Sequence, residues 1–322
     1  MPVPVNVMFN PRINHMNSVQ PNITYPSGAT GIGVPKHISP PADRALQKRA
    51  FTLLELLAVI AICGVLAMVL LPALARSKPP NHALVCMNNG RRILAALHLY
   101  AADNIDFWPP NELSDPCWVA GFMDFNSGNP ANTNLSGLTD PAHSKLGAYL
   151  ALPAVYKCPS DKSTVTIGSQ SIPRVRSVSM SGAVGTKSTV PGQPVGGEWL
   201  DGGPNSGQTV WKTYGKTSQM NAPTPANLFV IMDEHPDSIN EGALMVQCTG
   251  TGSAAKIIDY PASYHNLGVS VSFADGHAEI HKWHDPRTSP PTTYTGLLSL
   301  NVPSPNNQDV TWLQQHTSAL NQ

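Results

Sequence analysis

A single long run of apolar residues dominates the hydrophobic pattern of this chain. It extends from Phe51 to Ala75 and contains one charged residue, Glu55. A run of this length is what an α-helix needs to cross a bilayer, and it exceeds both the core of a signal peptide and an ordinary buried helix. Pro72 removes a backbone donor and is expected to kink the helix or loosen its last turn. The pattern therefore predicts a membrane helix over residues 51–76.

The apolar pattern takes a helical period again after the proline pair at residues 79–80. Arg91 and Arg92 fall on a different face from the apolar positions, which predicts an amphipathic helix. Those positions are Leu84, Val85, Met87, Ile93, Leu94, Leu97 and Tyr100. Short strand patterns follow, including residues 228–232 and a hairpin of 269–273 with 278–283. One long helix followed by strands predicts an α+β fold, with the helix packed on an antiparallel sheet.

Composition and charge narrow the class of protein. The formal net charge is zero, charged residues make up 12% of the chain, and there are 31 Pro and 25 Gly. A nucleic-acid-binding domain would carry a basic surplus, so no nucleic-acid binding is expected. Residues 1–50 lack apolar periodicity and end in a basic cluster, which predicts a disordered leader. The expected organisation is this leader, the helix over 51–76 and a folded domain over 77–322.

The entry to the apolar run resembles the processing site of type IV prepilins and type II secretion pseudopilins. The resemblance is carried by Lys48-Arg49-Ala50 followed by the residues FTLLELL from Phe51 onward. It implies that a membrane prepilin peptidase cuts between Ala50 and Phe51 and methylates the new amino terminus. It also implies a pilin-like fold with a long N-terminal helix. The family prefers glycine before the cut, and this chain has Ala50 there.

The position of Glu55 in the apolar run calls for a partner. A carboxylate inside a membrane helix costs on the order of 3 kcal/mol on insertion scales. The prepilin resemblance implies that the free amine of a neighbouring subunit's Phe51 pairs with Glu55 and sets the register between subunits. The alternative is that Glu55 reaches into the lipid headgroups near the helix start.

A second resemblance lies near the other end of the chain. His265 is followed after nine residues by Asp275-Gly276, and this H-x9-D-G signature occurs in a bacterial group that also has the prepilin start. Related segments of that group match residues 86–89, 156–161 and 232–240. The residues themselves favour a hairpin turn at Asp275-Gly276, because Gly supplies positive φ and Asp bonds its own backbone. The alternative makes His265 and Asp275 a paired site.

The five cysteines show no C-x-x-C spacing, which argues against a zinc ribbon or a thioredoxin-type motif. Cys63 lies inside the apolar run and is expected to behave as a small hydrophobic residue. In an exported domain the other four would form two disulfides, and sequence alone leaves three connectivities. We favour Cys86 with Cys158, joining the helix to a turn, and Cys117 with Cys248.

Two groups of residues suggest metal sites. The first group offers several oxygen ligands in a short loop, which suits calcium. It comprises Asp233, Glu234, Asp237, Asn240 and Glu241. Pseudopilins use calcium to order a loop, and calcium is the only cofactor expected; the alternative is a solvated acidic loop. The second group suggests zinc but alternates along a strand like an exposed face, so we do not favour it. It comprises His277, Glu279, His281, His284 and Asp285.

The expected function is structural. The resemblance implies a subunit of a type II secretion pseudopilus or type IV pilus-like fibre, anchored in the inner membrane with its C-terminal domain in the periplasm. Its expected partners are prepilin peptidase, other pilin or pseudopilin subunits, an assembly platform and lipid. The alternative is a membrane-tethered module that binds glycans or secreted cargo through exposed Trp108, Trp118, Trp199 and Trp211. No G-x-S-x-G or phosphate-binding loop occurs, so no enzyme activity is expected.

Overall fold

The computed structural model describes residues 51–75, 81–204 and 209–321. The predicted leader over 1–50, with Ala50, lies outside these residues, as do residues 76–80. The chain divides into two units at Ala73 and Leu74, close to the predicted boundary after residue 76. Both helices and strands are present, so the predicted α+β class is confirmed.

The described part of the first unit belongs to one helix, α1, which runs from Leu53 to Ala75 and so ends two residues beyond the division. Thr52 and Glu55 begin it with reciprocal hydrogen bonds: the Thr52 N–H donates to Glu55 Oε2 at 2.9 Å, and the Glu55 N–H donates to Thr52 Oγ1 at 3.3 Å. This arrangement is a capping box, which satisfies backbone donors at a helix start. Among the described residues, no helix combines the length and apolar character required to cross a membrane. The membrane helix over 51–76 stays a prediction.

The described residues of the second unit contain three further α-helices. They are α2 (His82–Asp103), α3 (Ser136–Thr139) and α4 (Gln308–Thr317). The Asn81 side chain caps α2 by accepting from the Ala83 N–H at 3.2 Å. Ile93, Leu94 and Leu97 are buried as predicted, whereas Leu84 is exposed, because the inward stripe begins instead at Cys86. The amphipathic helix predicted in this region is confirmed.

In the part of the chain that the structure describes, nine strands form three sheets. Their bounds are β1 Thr164–Ile167, β2 Gln170–Pro173, β3 Val178–Ser181, β4 Phe229–Asp233, β5 Ala243–Leu244, β6 Lys256–Ile257, β7 Gly268–Phe273, β8 Ala278–Lys282 and β9 Val302–Pro303. The main sheet has the order β5-β3-β4-β7-β8, and β1-β2 and β6-β9 are separate antiparallel pairs. Strand β4 and the β7-β8 hairpin confirm the predicted strands. The sheet is antiparallel except that β5 pairs in parallel with β3.

Helix α2 lies on the main sheet and contacts β4, β7 and β8. Gly90 permits this close approach, since a Cβ there would lie 2.2 Å from Ser272 Oγ on β7. The core between helix and sheet contains Ile93, Leu97 and Val271, and it extends to two fully buried rings in the loops, Trp108 and Trp118. One face of α2 is therefore held close to the ends of β4 and β7.

Candidate metal centre

Four side chains from distant parts of the sequence meet beside α2. They are Cys86 on α2, Cys158 in a turn, Asp233 at the end of β4 and His265 before β7. Their ligand atoms all lie within 4.8 Å of one another. Each residue falls in one of the segments that carry the H-x9-D-G resemblance. These segments thus form one site in the folded domain.

A helix and a turn present the sulfur atoms. Cys86 lies on the buried stripe of α2. A 3₁₀ turn over Pro153–Tyr156 leads to Cys158, where the Asp161 N–H donates to the Cys158 carbonyl at 3.0 Å. The Ser160 N–H points back at Cys158 Sγ, 3.4 Å away. This turn fixes the Cys158 sulfur against the helix.

The sheet positions the other two side chains. Asp233 is the last residue of β4 and pairs in register with Val178 of β3. His265 precedes a tight turn in which Asn266 and Leu267 have positive φ and the His265 N–H donates to the Gly268 carbonyl at 3.0 Å. Because β4 and β7 are neighbours, the end of one lies beside the start of the other.

The contacts within the site are short. Cys86 Sγ lies 2.8 Å from Cys158 Sγ, and Cys158 Sγ lies 3.6 Å from His265 Nε2. The Ser177 hydroxyl links two of the residues, since it accepts from the Cys158 N–H at 2.7 Å and donates to Asp233 Oδ1 at 3.0 Å. Cys86, Cys158 and Asp233 are buried, and His265 is half-buried. His265 is thus the only one of the four ligands with appreciable exposure to solvent.

Burial and mutual contact shift the protonation of these groups. A hydrogen bond from the Cys86 thiol, helped by His265, lowers the pKa of Cys158 to about 5 against the opposing effect of burial. The same bond raises the pKa of Cys86 because it requires the proton. Burial, and next the charge on Cys158, raises the pKa of Asp233 well above its usual range. Of the two thiols, Cys158 therefore gives up its proton first, and burial disfavours the charged form of Asp233 beside it.

The acidic residues predicted to bind calcium do not meet at one point. Of the five, only Asp233 belongs to a group of His, Cys, Asp or Glu side chains that could share a metal within the described residues. Glu234 accepts from the Ser238 hydroxyl at 2.9 Å, whereas Asp237 accepts from the Thr293 N–H at 2.6 Å. Adjacent residues of an extended chain point to opposite faces, which separates Asp233 from Glu234. The calcium prediction is therefore corrected.

The alternative prediction of a solvated acidic loop is also wrong. Asp233, Glu234 and Asp237 are at most 2% exposed. The Asn240 side chain accepts from the Glu241 N–H, and Glu241 lines a separate cleft of about 360 Å³ together with Glu112 and Glu198. Burial, and then the charge of Glu112, raises the pKa of Glu198. The sequence pattern did not indicate this cleft, because its carboxylates come from three distant segments.

Within the described residues, the histidines around β8 do not converge on one point. His277 stacks on Phe273 and contacts Asp275, whereas His281 stacks on Trp312. His284 and Glu279 are exposed, and Asp285 is half-buried. These rings and carboxylates are thus distributed along the strand, each in its own surroundings.

The two ends of the H-x9-D-G signature have separate roles. Asp275-Gly276 forms the β7-β8 turn, with Gly276 at φ +98° and Asp275 Oδ1 accepting from the His277 N–H at 3.1 Å. His265 lies at the opposite end of β7, a six-residue strand, roughly 20 Å away at the rise of a β-strand. The predicted turn is confirmed, and the paired site of His265 and Asp275 is excluded.

The predicted disulfides are not present. All five cysteines are free, although Cys86 and Cys158 are adjacent as expected. Cys117 donates to the Val119 carbonyl at 2.8 Å, and Cys248 packs in the core near the Gln314 carbonyl of α4. The second predicted pair is corrected, since each of these thiols has its own buried environment.

The tryptophans proposed as an exposed binding surface are mostly part of the interior. Trp108 and Trp118 have no exposed area, and their Nε1 atoms donate to Thr217 Oγ1 and the Gly242 carbonyl. Trp199 and Trp211 are partly buried against apolar clusters. These four rings therefore do not form one exposed binding surface.

Comparison with known proteins identifies the N-terminal segment. Residues 46–71 match the family described as the prokaryotic N-terminal methylation motif. The chain carries a prepilin-type methylation motif. This motif supports a pilin-like or pseudopilin-like subunit, and it implies processing by prepilin peptidase and assembly with other pilin subunits in general. No curated protein and no solved structure matches the chain. The prepilin-type motif ends before α2, so the H-x9-D-G resemblance stays a prediction.

Proposed function

We propose that this chain is a structural subunit of a type II secretion pseudopilus or a type IV pilus-like fibre. The prepilin-type motif at residues 46–71 carries the proposal. Prepilin peptidase would cut before Phe51, and subunits would then assemble through α1 on an inner-membrane platform. The second unit would lie in the periplasm.

The surface of α1 suits assembly between helices. Its described side chains are exposed in this chain, including Leu53, Ile60 and Val65, all more than half accessible. The segment from Phe51 to Ala75 carries one charge in an otherwise apolar sequence. Such a surface is stable only where lipid or other apolar helices cover it.

Glu55 has a specific place in this proposal. In the single chain its carboxylate accepts two hydrogen bonds from Thr52, one from the backbone and one from the hydroxyl, each 2.9 Å long. Cleavage would leave the free amine on Phe51 of every subunit, and a neighbour's amine is a stronger partner because it carries a charge. Glu55 would therefore exchange a local cap for a contact between subunits.

The first experiment determines the mature N terminus by mass spectrometry of the chain recovered from membranes of its host. Methylated Phe51 is expected. Ala50→Gly supplies the residue that the family prefers and should raise the processed fraction, whereas Ala45→Gly in the leader should leave it unchanged. An N terminus upstream of Phe51 in both wild type and Ala50→Gly would refute the proposal.

The second experiment separates the two roles of Glu55. A glutamine can still complete a capping box but carries no charge, so Glu55→Gln should retain α1 and lose incorporation into fibres. Glu55→Ala should lose the first-turn cap as well as fibre incorporation while the chain still folds, and Glu279→Gln on the exposed side of β8 serves as control. Fibre yield is measured by shearing and immunoblotting. Wild-type yield with Glu55→Gln would show that charge pairing does not direct assembly.

A further inference from the structure

We propose that Cys86, Cys158, Asp233 and His265 bind one Zn²⁺ ion that holds the second unit together. The ligands are the two sulfur atoms, one carboxylate oxygen of Asp233 and Nε2 of His265. The site is independent of the N-terminal motif, so its test does not depend on fibre formation.

The donor atoms suit zinc better than other common ions. Thiolate sulfur and imidazole nitrogen select zinc over the hard ions calcium and magnesium, which take oxygen ligands. Four protein ligands with no free position are typical of structural zinc, whereas catalytic zinc keeps one position open. The cluster supplies four ligands in a buried place. It therefore fits a structural site.

The dimensions of the cluster agree with a tetrahedral centre. With zinc–sulfur bonds of about 2.3 Å and zinc–nitrogen or zinc–oxygen bonds of about 2.0–2.2 Å, ligand atoms lie roughly 3.3–3.8 Å apart. The 3.6 Å between Cys158 Sγ and His265 Nε2 falls in this interval. The two sulfur atoms, 2.8 Å apart, need to separate by about 1 Å.

A disulfide between the two cysteines would explain less of the geometry. It needs neither the carboxylate of Asp233 nor the ring of His265, yet both converge on the sulfur atoms. A buried carboxylate beside a thiolate is repelled by it, and a divalent cation turns that repulsion into shared coordination. Ser177 already orients two of the ligands, Cys158 and Asp233, as outer-shell groups do in zinc sites.

The position of the ion explains what it would do. Its ligands come from α2, from the turn after the 3₁₀ segment, from β4 and from the approach to β7. An ion that binds only the folded domain stabilises it against unfolding. This stabilisation grows with the logarithm of the ratio of the free ion concentration to Kd. Zinc would therefore join the helix to two neighbouring strands and raise the thermal midpoint of the second unit.

The test uses the full chain, purified in detergent without chelator under anaerobic conditions. About one zinc per chain is expected by elemental analysis. Asp233→Asn and His265→Gln should each weaken zinc binding about tenfold or more, measured by competition with a chromophoric chelator. Cys248→Ser, which removes a buried thiol outside the cluster, should bind zinc like the wild type.

Two outcomes would overturn the proposal. In the first, the isolated chain contains no zinc and carries a Cys86–Cys158 disulfide. The yield of this disulfide is then the same in Asp233→Asn and His265→Gln as in the wild type. The other is zinc content that persists in Cys158→Ser. If the variants fail to fold, Co²⁺ is added to the reduced wild-type chain and its absorption spectrum is recorded. Bands of a tetrahedral cobalt–thiolate centre support the site, whereas an octahedral spectrum without thiolate bands refutes it.

Discussion

The ring of His281 makes the second unit sensitive to acid. This side chain on β8 stacks on Trp312 with ring centres 3.8 Å apart and meets the edge of Trp283 at 4.7 Å. Its Nε2 atom is buried and has no hydrogen-bond partner among the described residues. Burial, which outweighs the opposing charge of Asp309, lowers the pKa of His281 to about 4. The folded chain therefore holds this ring neutral.

The direction and size of the effect follow from the two protonation states. The unfolded chain binds a proton on His281 below its ordinary pKa of 6.5, whereas the folded chain does so only near pH 4. The contribution of His281 to the free energy of unfolding is thus fully present above pH 6.5 and is lost as the pH falls towards 4. The whole pKa shift corresponds to a change of roughly 3 kcal/mol in the free energy of unfolding. Because the ring is partly exposed, we expect a change of only about 1–2 kcal/mol.

His281→Phe tests this account, since it retains an aromatic ring against Trp312 but cannot be protonated. Urea unfolding is followed by tryptophan fluorescence at about pH 7 and about pH 4.5, and the difference in unfolding free energy between them should shrink by about 1–2 kcal/mol in the variant. His284→Gln, at an exposed neighbouring position, should respond to pH within about 0.5 kcal/mol of the wild type. Equal pH responses of His281→Phe and wild type would refute the reasoning.

Three further substitutions test packing and capping in the second unit, each by urea unfolding. Gly90→Ala should destabilise by about 1–2 kcal/mol through its contact with Ser272 Oγ, and in a Ser272→Ala background it should instead stabilise by up to about 1 kcal/mol; equal effects in both backgrounds would contradict this. Asn307→Ala should cost about 1–2 kcal/mol, because its side chain accepts from the first turn of α4. Gly276→Ala should cost about 1 kcal/mol from positive φ alone, since no atom lies within 4 Å of the added Cβ; a neutral result would show that the turn adjusts.

The strongest periodic patterns predicted the correct elements. Helix α2 and the β7-β8 hairpin were visible because their apolar residues repeat with the period of one structure. Strand β3 was missed, since Ser179 and Ser181 are fully buried there and read as a loop in the sequence. Ser179 donates to Glu234, so a satisfied hydrogen bond permits a polar residue in the core.

The candidate site was predictable only in part. The segments around Cys86, Cys158, Asp233 and His265 were each noticed, but their meeting depends on strand order, which the sequence does not reveal. The acidic residues over 233–241 were wrongly predicted to bind calcium or to form a solvated loop for a related reason. Spacing along the chain shows which residues are near in sequence, whereas burial decides which carboxylates remain free to bind an ion.

The two outer strands of the main sheet bear on how copies of this chain can associate. Strand β5 has only two residues, and β8 carries charged side chains at Glu279 and Lys282. Short or charged border strands leave little unpaired backbone for a second molecule to continue the sheet. Polymers of this protein are therefore expected to show no cross-β character. If the polymer grows without a sheet continuing from one subunit into the next, a subunit can leave it while still folded. Disassembly then need not expose aggregation-prone strands.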